Sequence, residues 1–192
     1  MGVVVSPYGH VSLDTQGVPL ATGEESFNRL LQTSSWTQIT GYMLIGFWTA
    51  ATTQLASKII TYTSGTGLES ADCTLAQIAV FSVNPATSAL TSQLAITANL
   101  NSTLWGSSYS SYTSSFTSPW NQVSGTLYAV GMLAVFSGTA GQISGANGQS
   151  GQTLPMTCAN AWTYASMPTS VAATSLQGGP AGTCVPYFQM EP

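Results

Sequence analysis

Short runs of apolar and β-branched residues, separated by small polar residues, begin at about residue 36 and continue to the C-terminus. Ile39–Ala50 is rich in aromatic and β-branched residues, and Leu55–Thr63 follows it. Within the second run, the alternation predicts that Lys58 faces solvent opposite Ile59 and Leu55. Runs of this length and composition are typical of β-strands.

Two later segments carry the clearest strand signals. Thr74–Val83 is followed by the turn sequence Asn84-Pro85-Ala86-Thr87 and then by Ala89–Thr97, which together predict a β-hairpin. Thr126–Phe136 is the longest apolar run and is apolar at both alternating sets of positions. A strand of that kind is expected at the centre of a sheet, buried on both faces.

The remaining segments are less regular. The Ser/Tyr-rich stretch Ser107–Ser118 is compatible with an exposed edge strand. Beyond Gly138, glycines among Ser, Asn and Gln predict a long loop, and Thr153–Cys158 and Thr183–Gln189 are the last expected strands. A series of short strands without a long helix favours an all-β protein built as an antiparallel β-sandwich.

The N-terminal segment differs from the rest. It contains the only histidine, His10, and half of the charged residues of the chain. Glu24 and Glu25, followed by Phe27, suggest the start of a helical turn with acidic residues at its N-terminal end. We therefore predict an extended N-terminal attachment arm over residues 1–35 and a β-sandwich domain over residues 36–192.

Charge is scarce throughout the chain. Only 4% of residues are charged, against about 25% in ordinary soluble domains, and no formal charge lies between Cys73 and Met190. With two basic residues and a net charge of −4, the chain has no electrostatic basis for binding nucleic acid or a membrane surface. The neutral surface is explained either by a Ser/Thr-rich exterior or by packing against other copies of the chain.

The side chains needed for catalysis are few. His10 lies in the predicted arm, and the three cysteines form no CxxC pair, so neither a catalytic triad nor a zinc site is expected. Glu69 and Asp72 offer too few oxygens for calcium by themselves, and an enzyme would need them to face a cleft. We expect no enzymatic activity, no metal and no cofactor. Cys158 and Cys184 would pair only in an oxidising compartment; separate buried thiols are the other interpretation.

Aromatic residues set among small polar residues form a candidate binding surface. Stacking of rings on sugars, with hydrogen bonds from Ser, Asn and Gln, would suit carbohydrate binding without charge. The alternative is that the tryptophans cap the sandwich core and the tyrosines pack on an edge strand. The candidate binding residues are Trp105, Tyr109, Tyr112 and Trp120.

The order of segments between Gly41 and Gly138 resembles the jelly-roll-like domain of virion proteins from tailed bacteriophages, especially minor tail and capsid decoration proteins of phages of actinobacteria. The similarity lies in the sequence of an aromatic strand, a hairpin, a short Asn-containing segment before a tryptophan, and a late Gly-x-x-Tyr-Ala-Val-type strand. The segments are Gly41–Ala50, Ala76–Val83, Asn101–Trp105 and Ser124–Gly131.

This resemblance implies a jelly-roll-like β-sandwich with no catalytic residues, located on the exterior of a virion that is assembled in the host cytoplasm. We expect a minor tail or receptor-contact protein that attaches through its N-terminal arm. A capsid decoration or head-fibre protein is one alternative, and a carbohydrate-binding module is another. The expected partners are other virion proteins of the tail or capsid, further copies of the chain in a homo-oligomer such as a trimer, and a host-surface glycan.

Overall fold

The chain folds into antiparallel β-strands, as its apolar runs predict. The computed structural model describes residues 24–27, 34–68, 72–147, 158–161, 164–177 and 184–192, and within them no α-helix occurs. The strands are β1 (Glu24–Glu25), β2 (Ser34–Thr37), β3 (Met43–Thr49), β4 (Gln54–Tyr62), β5 (Cys73–Val83), β6 (Leu90–Ile96), β7 (Ser111–Gln122), β8 (Leu127–Phe136), β9 (Gln142–Asn147), β10 (Cys158–Ala161), β11 (Cys184–Pro186) and β12 (Phe188–Glu191).

The strand pairing has the nested order of a jelly roll. The strands pair as β3 with β8, β4 with β7, and β5 with β6, so an antiparallel ribbon closes at the β5–β6 turn. The ribbon is wrapped so that β5 also pairs with β8. This gives a five-stranded sheet, β10-β3-β8-β5-β6, and a four-stranded sheet, β1-β12-β4-β7. The predicted all-β, jelly-roll-like sandwich is confirmed.

The centre of the five-stranded sheet is β8, which is buried on both faces as predicted. Val130 and Met132 belong to the core between the two sheets, while Ala129 and Leu133 belong to a second core on the outer face. Gly131 lies between them, where a Cβ would come within 2.6 Å of the Met43 sulfur. A larger residue there would displace the packing of β3 against β8.

The outer face of this sheet is covered by the segment 164–177. Val171 exchanges backbone hydrogen bonds with Leu90, at 2.8 and 2.9 Å, and Met167 and Leu176 join the outer core. Because this segment supplies the second apolar layer, β3, β5 and β8 are nearly continuous in apolar residues instead of alternating.

The predicted hairpin is confirmed as β5 and β6. Its turn is closed by the Asn84 N–H donating to the Ala89 carbonyl at 2.9 Å, and by the Ser88 N–H donating to the Asn84 carbonyl at 2.7 Å. Ser88 adopts a left-handed backbone conformation with φ of 61°. The predicted edge strand in the Ser/Tyr-rich stretch is also confirmed, since β7 ends the four-stranded sheet.

The loop predicted beyond Gly138 is wrong for Gln142–Asn147, which form β9. This strand lies at the centre of a three-stranded sheet, β11-β9-β2, and its Ile143 is fully buried in the sandwich core. The strand was missed because glycine is depleted in strands, yet Gly145 pairs with both Ser34 and Pro186.

In β4, the predicted outward position of Lys58 and inward position of Ile59 are confirmed, but Leu55 is 56% exposed. The register with β7 shifts between Ala56 and Lys58. Two steps along β4, from Ala56 to Lys58, oppose five steps along β7, from Trp120 to Ser115. An irregularity of this kind interrupts the alternation between the two faces of the strand. Leu55 therefore lies on the same side of the strand as Lys58.

The helical turn expected near Glu24 is wrong for the residues that are described, since Glu24 and Glu25 form β1 beside β12. The Glu24 carboxylate accepts backbone hydrogen bonds from Ala51 at 2.9 Å and Thr52 at 3.0 Å, and a side-chain bond from Gln122 at 2.7 Å. Glu24 thus ties β1 to the β3–β4 turn and to the end of β7. Residues 1–23 and 28–33, including His10, lie outside the described residues, so the predicted arm and its boundary at residue 35 stay a prediction.

Candidate functional site

The four predicted binding residues do not form one exposed patch. Trp105 is fully buried and Trp120 is 5% exposed, whereas Tyr109 is 82% exposed and Tyr112 is partly buried. The expectation that the two tryptophan rings contact a ligand is therefore wrong. The alternative interpretation, that they pack into the sandwich core, describes their positions.

Trp105 anchors the loop between β6 and β7. Its indole Nε1 donates to the Thr61 hydroxyl at 2.9 Å, and its carbonyl accepts a hydrogen bond from the Leu68 N–H at 2.7 Å. Buried indoles usually satisfy their N–H in this way. The ring thus fixes the β6–β7 loop to β4 and to the loop that follows β4.

Trp120 belongs to an aromatic cluster between the two sheets. Its ring centroid lies 4.8 Å from that of Tyr128 and 6.5 Å from that of Trp48, and Trp48 in turn packs on Phe188 at 5.0 Å. Trp48 lies in β3, so its contacts join β3 to β7 and to β12. The contact between Trp120 and Tyr128 joins β7 to β8. The cluster stabilises the sandwich and leaves no ring surface for a ligand.

Tyr109 is presented by a loop that is held at several points. The Thr63 hydroxyl donates to the Ser107 carbonyl at 2.6 Å and accepts from the Ser110 N–H at 3.0 Å. The Tyr112 hydroxyl bonds to both the N–H and the carbonyl of Ser107. Tyr112 therefore positions the loop through its hydroxyl. Tyr109 itself has a left-handed backbone with φ of 49°.

Beside Tyr109 lies an open groove of about 320 Å³ that sequence reasoning did not find. Its lining contains hydroxyl and amide groups but no charged side chain. The lining residues are Ser34, Ser35, Ser64, Gly65, Tyr109, Gln142 and Ser144. Only Tyr109 was singled out from the sequence, because the others come from β2, β9 and the loop after β4, which meet only in the folded protein.

Part of the groove lining is set by a close contact between Gly65 and Gln142. Gly65 has φ of 62°, and a Cβ there would come within 2.0 Å of the Gln142 Oε1. That oxygen accepts a hydrogen bond from the Thr66 N–H at 3.3 Å. The amide of Gln142 thus fixes the turn after β4, and the groove shape depends on glycine at position 65.

Other candidate chemistry from the sequence is not assembled among the described residues. Glu69 lies outside them, and no group of at least three His, Cys, Asp or Glu side chains capable of holding a metal occurs within them. Cys73 is buried, and burial raises the pKa of its thiol above the ordinary value, partly offset by a hydrogen bond with the Leu75 backbone. Cys158 is also buried. The two predicted alternatives, a disulfide between Cys158 and Cys184 or two separate thiols, both stay predictions.

Within the described part of the chain, no helix has the length and apolar character to cross a membrane. Neither the protein-family models nor the curated proteins include a match to this sequence.

Proposed function

We propose that the protein is a non-enzymatic structural protein on the exterior of a tailed-bacteriophage virion, acting as a minor tail or receptor-contact protein. The alternative is that it is a capsid decoration or head-fibre protein. The observation that carries the proposal is a jelly-roll-like body whose sequence has no formal charge between Cys73 and Met190.

A body of this kind suits packing between copies. Burying a charged group at an interface costs free energy unless the charge is paired, and a surface of Ser, Thr and Asn avoids that cost. Weak electrostatic repulsion between copies also favours association. We therefore propose that the sandwich assembles as a symmetric homo-oligomer, such as a trimer.

We propose that the N-terminal segment attaches the protein to the particle. Glu24 and Glu25 pair with β12, and Ser34 and Ser35 pair with β9, so these residues contribute to the body. The attachment segment that can be removed without removing a described strand is residues 1–23.

The proposal is tested with purified full-length protein and a variant lacking residues 1–23. Analytical ultracentrifugation should show an oligomer for both proteins, because the body carries the self-association. Co-sedimentation with particles of the phage that encodes the protein should succeed for the full chain and fail for the truncated one. Equal thermal unfolding temperatures would serve as the folding control.

Two results would contradict the proposal. One is a full-length protein that sediments as a monomer and never associates with particles. The other is particle binding that survives the truncation, which would remove the assigned role of residues 1–23.

A further inference from the structure

We propose that the groove beside Tyr109 binds a neutral saccharide, with the Tyr109 ring as a stacking platform. This inference concerns a ligand site on the single chain and does not depend on assembly into a particle. It differs from the patch expected from the sequence, because Trp105 and Trp120 are buried and the groove contributes residues from β2 and β9.

The backbone conformation of Tyr109 costs free energy of folding. Tyr109 has φ of 49°, in the left-handed region that residues other than Gly, Asn and Asp rarely adopt. The side chain gains little burial in return, since it is 82% exposed. Strained residues of this kind cluster at ligand-binding and active sites.

The loop is already ordered before a ligand arrives. Thr63 binds Ser107 and Ser110, and the Trp105 indole binds Thr61 in the core. A Cβ on Gly67 would come within 2.5 Å of the Gly106 carbonyl oxygen, so the two loops pack backbone against backbone. Because the loop is held in place, stacking a ligand on Tyr109 would cost little additional ordering.

The chemistry of the groove selects the class of ligand. Its lining offers hydroxyl and amide groups beside one exposed aromatic ring, and contains no cation to pair with a phosphate or carboxylate. The groove is open to solvent and has a volume of about 320 Å³. A neutral sugar has hydroxyls for the polar lining and an apolar C–H face for the ring.

The test uses a printed array of neutral and acidic oligosaccharides with the full-length protein. Wild type should bind a subset of the neutral oligosaccharides and none of the acidic ones. Calorimetry with the tightest neutral oligosaccharide should then show binding at least about tenfold weaker for Tyr109→Ala, with Tyr109→Phe close to wild type. Leu55→Ala is the matched control, because it removes another exposed apolar side chain at 56% exposure.

A further variant separates a ligand role from a structural one. Tyr109→Gly should raise the thermal unfolding temperature, because glycine relieves the left-handed strain, while still losing saccharide binding. If Tyr109 had only a structural role, Tyr109→Gly would not raise the unfolding temperature while abolishing saccharide binding.

The proposal is overturned if wild type binds no oligosaccharide on the array or if Tyr109→Ala binds as tightly as wild type. Loss of self-association in Tyr109→Ala, without any saccharide binding by wild type, would instead identify the ring as a contact between copies.

Discussion

At the scale of single residues, the backbone conformation of a few residues distinguishes structural positions from the proposed binding position. Among the described residues other than glycine, Ser88, Trp105 and Tyr109 have positive φ. For Trp105 the strain is offset by complete burial and a hydrogen bond to Thr61. For Ser88 the compensation is the tight β5–β6 turn. Tyr109 also lies in a turn, but its side chain is exposed and gains no burial to offset the strain, which motivates its proposed stacking role.

Ser88→Gly is expected to stabilise the protein by about 1 kcal/mol, because glycine adopts positive φ without steric cost. The Ser88 hydroxyl is buried without a hydrogen-bond partner among the described residues, so its removal adds to the gain. Urea unfolding monitored by tryptophan fluorescence measures the change.

Ser92→Gly provides the control of opposite sign. Ser92 lies exposed in β6, where glycine is expected to destabilise by about 0.5–1 kcal/mol. A Ser88→Gly variant that is also destabilised would show that the turn does not hold residue 88 in the left-handed region.

At the scale of elements, the two-residue strand β1 has more influence than its length suggests. Two residues make few ladder hydrogen bonds, but the Glu24 carboxylate is shared between the β3–β4 turn and Gln122 of β7. Since Glu24 is only partly buried, each of these charge-assisted bonds is worth less than in a fully buried site.

Glu24→Gln is expected to destabilise the protein by about 1 kcal/mol, because the amide keeps one acceptor oxygen and loses the charge. The free energy of unfolding is measured by urea denaturation. Amide hydrogen exchange at Ala51 and Thr52 should also become faster in this variant, since their N–H groups bond to the carboxylate.

Asp72→Asn is the matched control, because it neutralises an exposed carboxylate that shares none of the hydrogen bonds of Glu24. It should change stability by less than about 0.5 kcal/mol. Equal effects of the two substitutions would mean that Glu24 acts through net charge and not through its hydrogen bonds.

At the scale of the whole molecule, the distribution of charge decides how the proposed contacts between copies would respond to salt. The chain has two basic and six acidic residues, and none lies between Cys73 and Met190. Contacts between copies through this uncharged part of the chain would therefore rely on apolar burial and neutral hydrogen bonds. Such contacts are little affected by ionic screening.

The proposed oligomer is accordingly expected to persist in molar sodium chloride. Sedimentation velocity at low and molar salt should give the same distribution of species, with protein concentration held constant. Dissociation at high salt would show that the few charged side chains, such as Lys58 on the exposed side of β4, carry the association.

The sequence by itself determined the features that depend on local pattern. The β5–β6 hairpin follows from two apolar runs around Asn84-Pro85, and the doubly buried β8 follows from a run that is apolar at every alternation. Both signals lie within one contiguous segment, so no knowledge of distant residues was needed.

Only the tertiary structure decided which aromatic ring is exposed and where the groove lies. Trp105 and Tyr109 are four positions apart in similar Ser-rich surroundings, yet one is buried and the other is 82% exposed. The Trp105 indole is held in the core by its hydrogen bond to Thr61, whereas Thr63 holds the loop through the Ser107 carbonyl, two residues before Tyr109. The groove likewise joins residues 34, 64, 109 and 142, whose proximity results from strand pairing across the chain and leaves no periodic trace in the sequence.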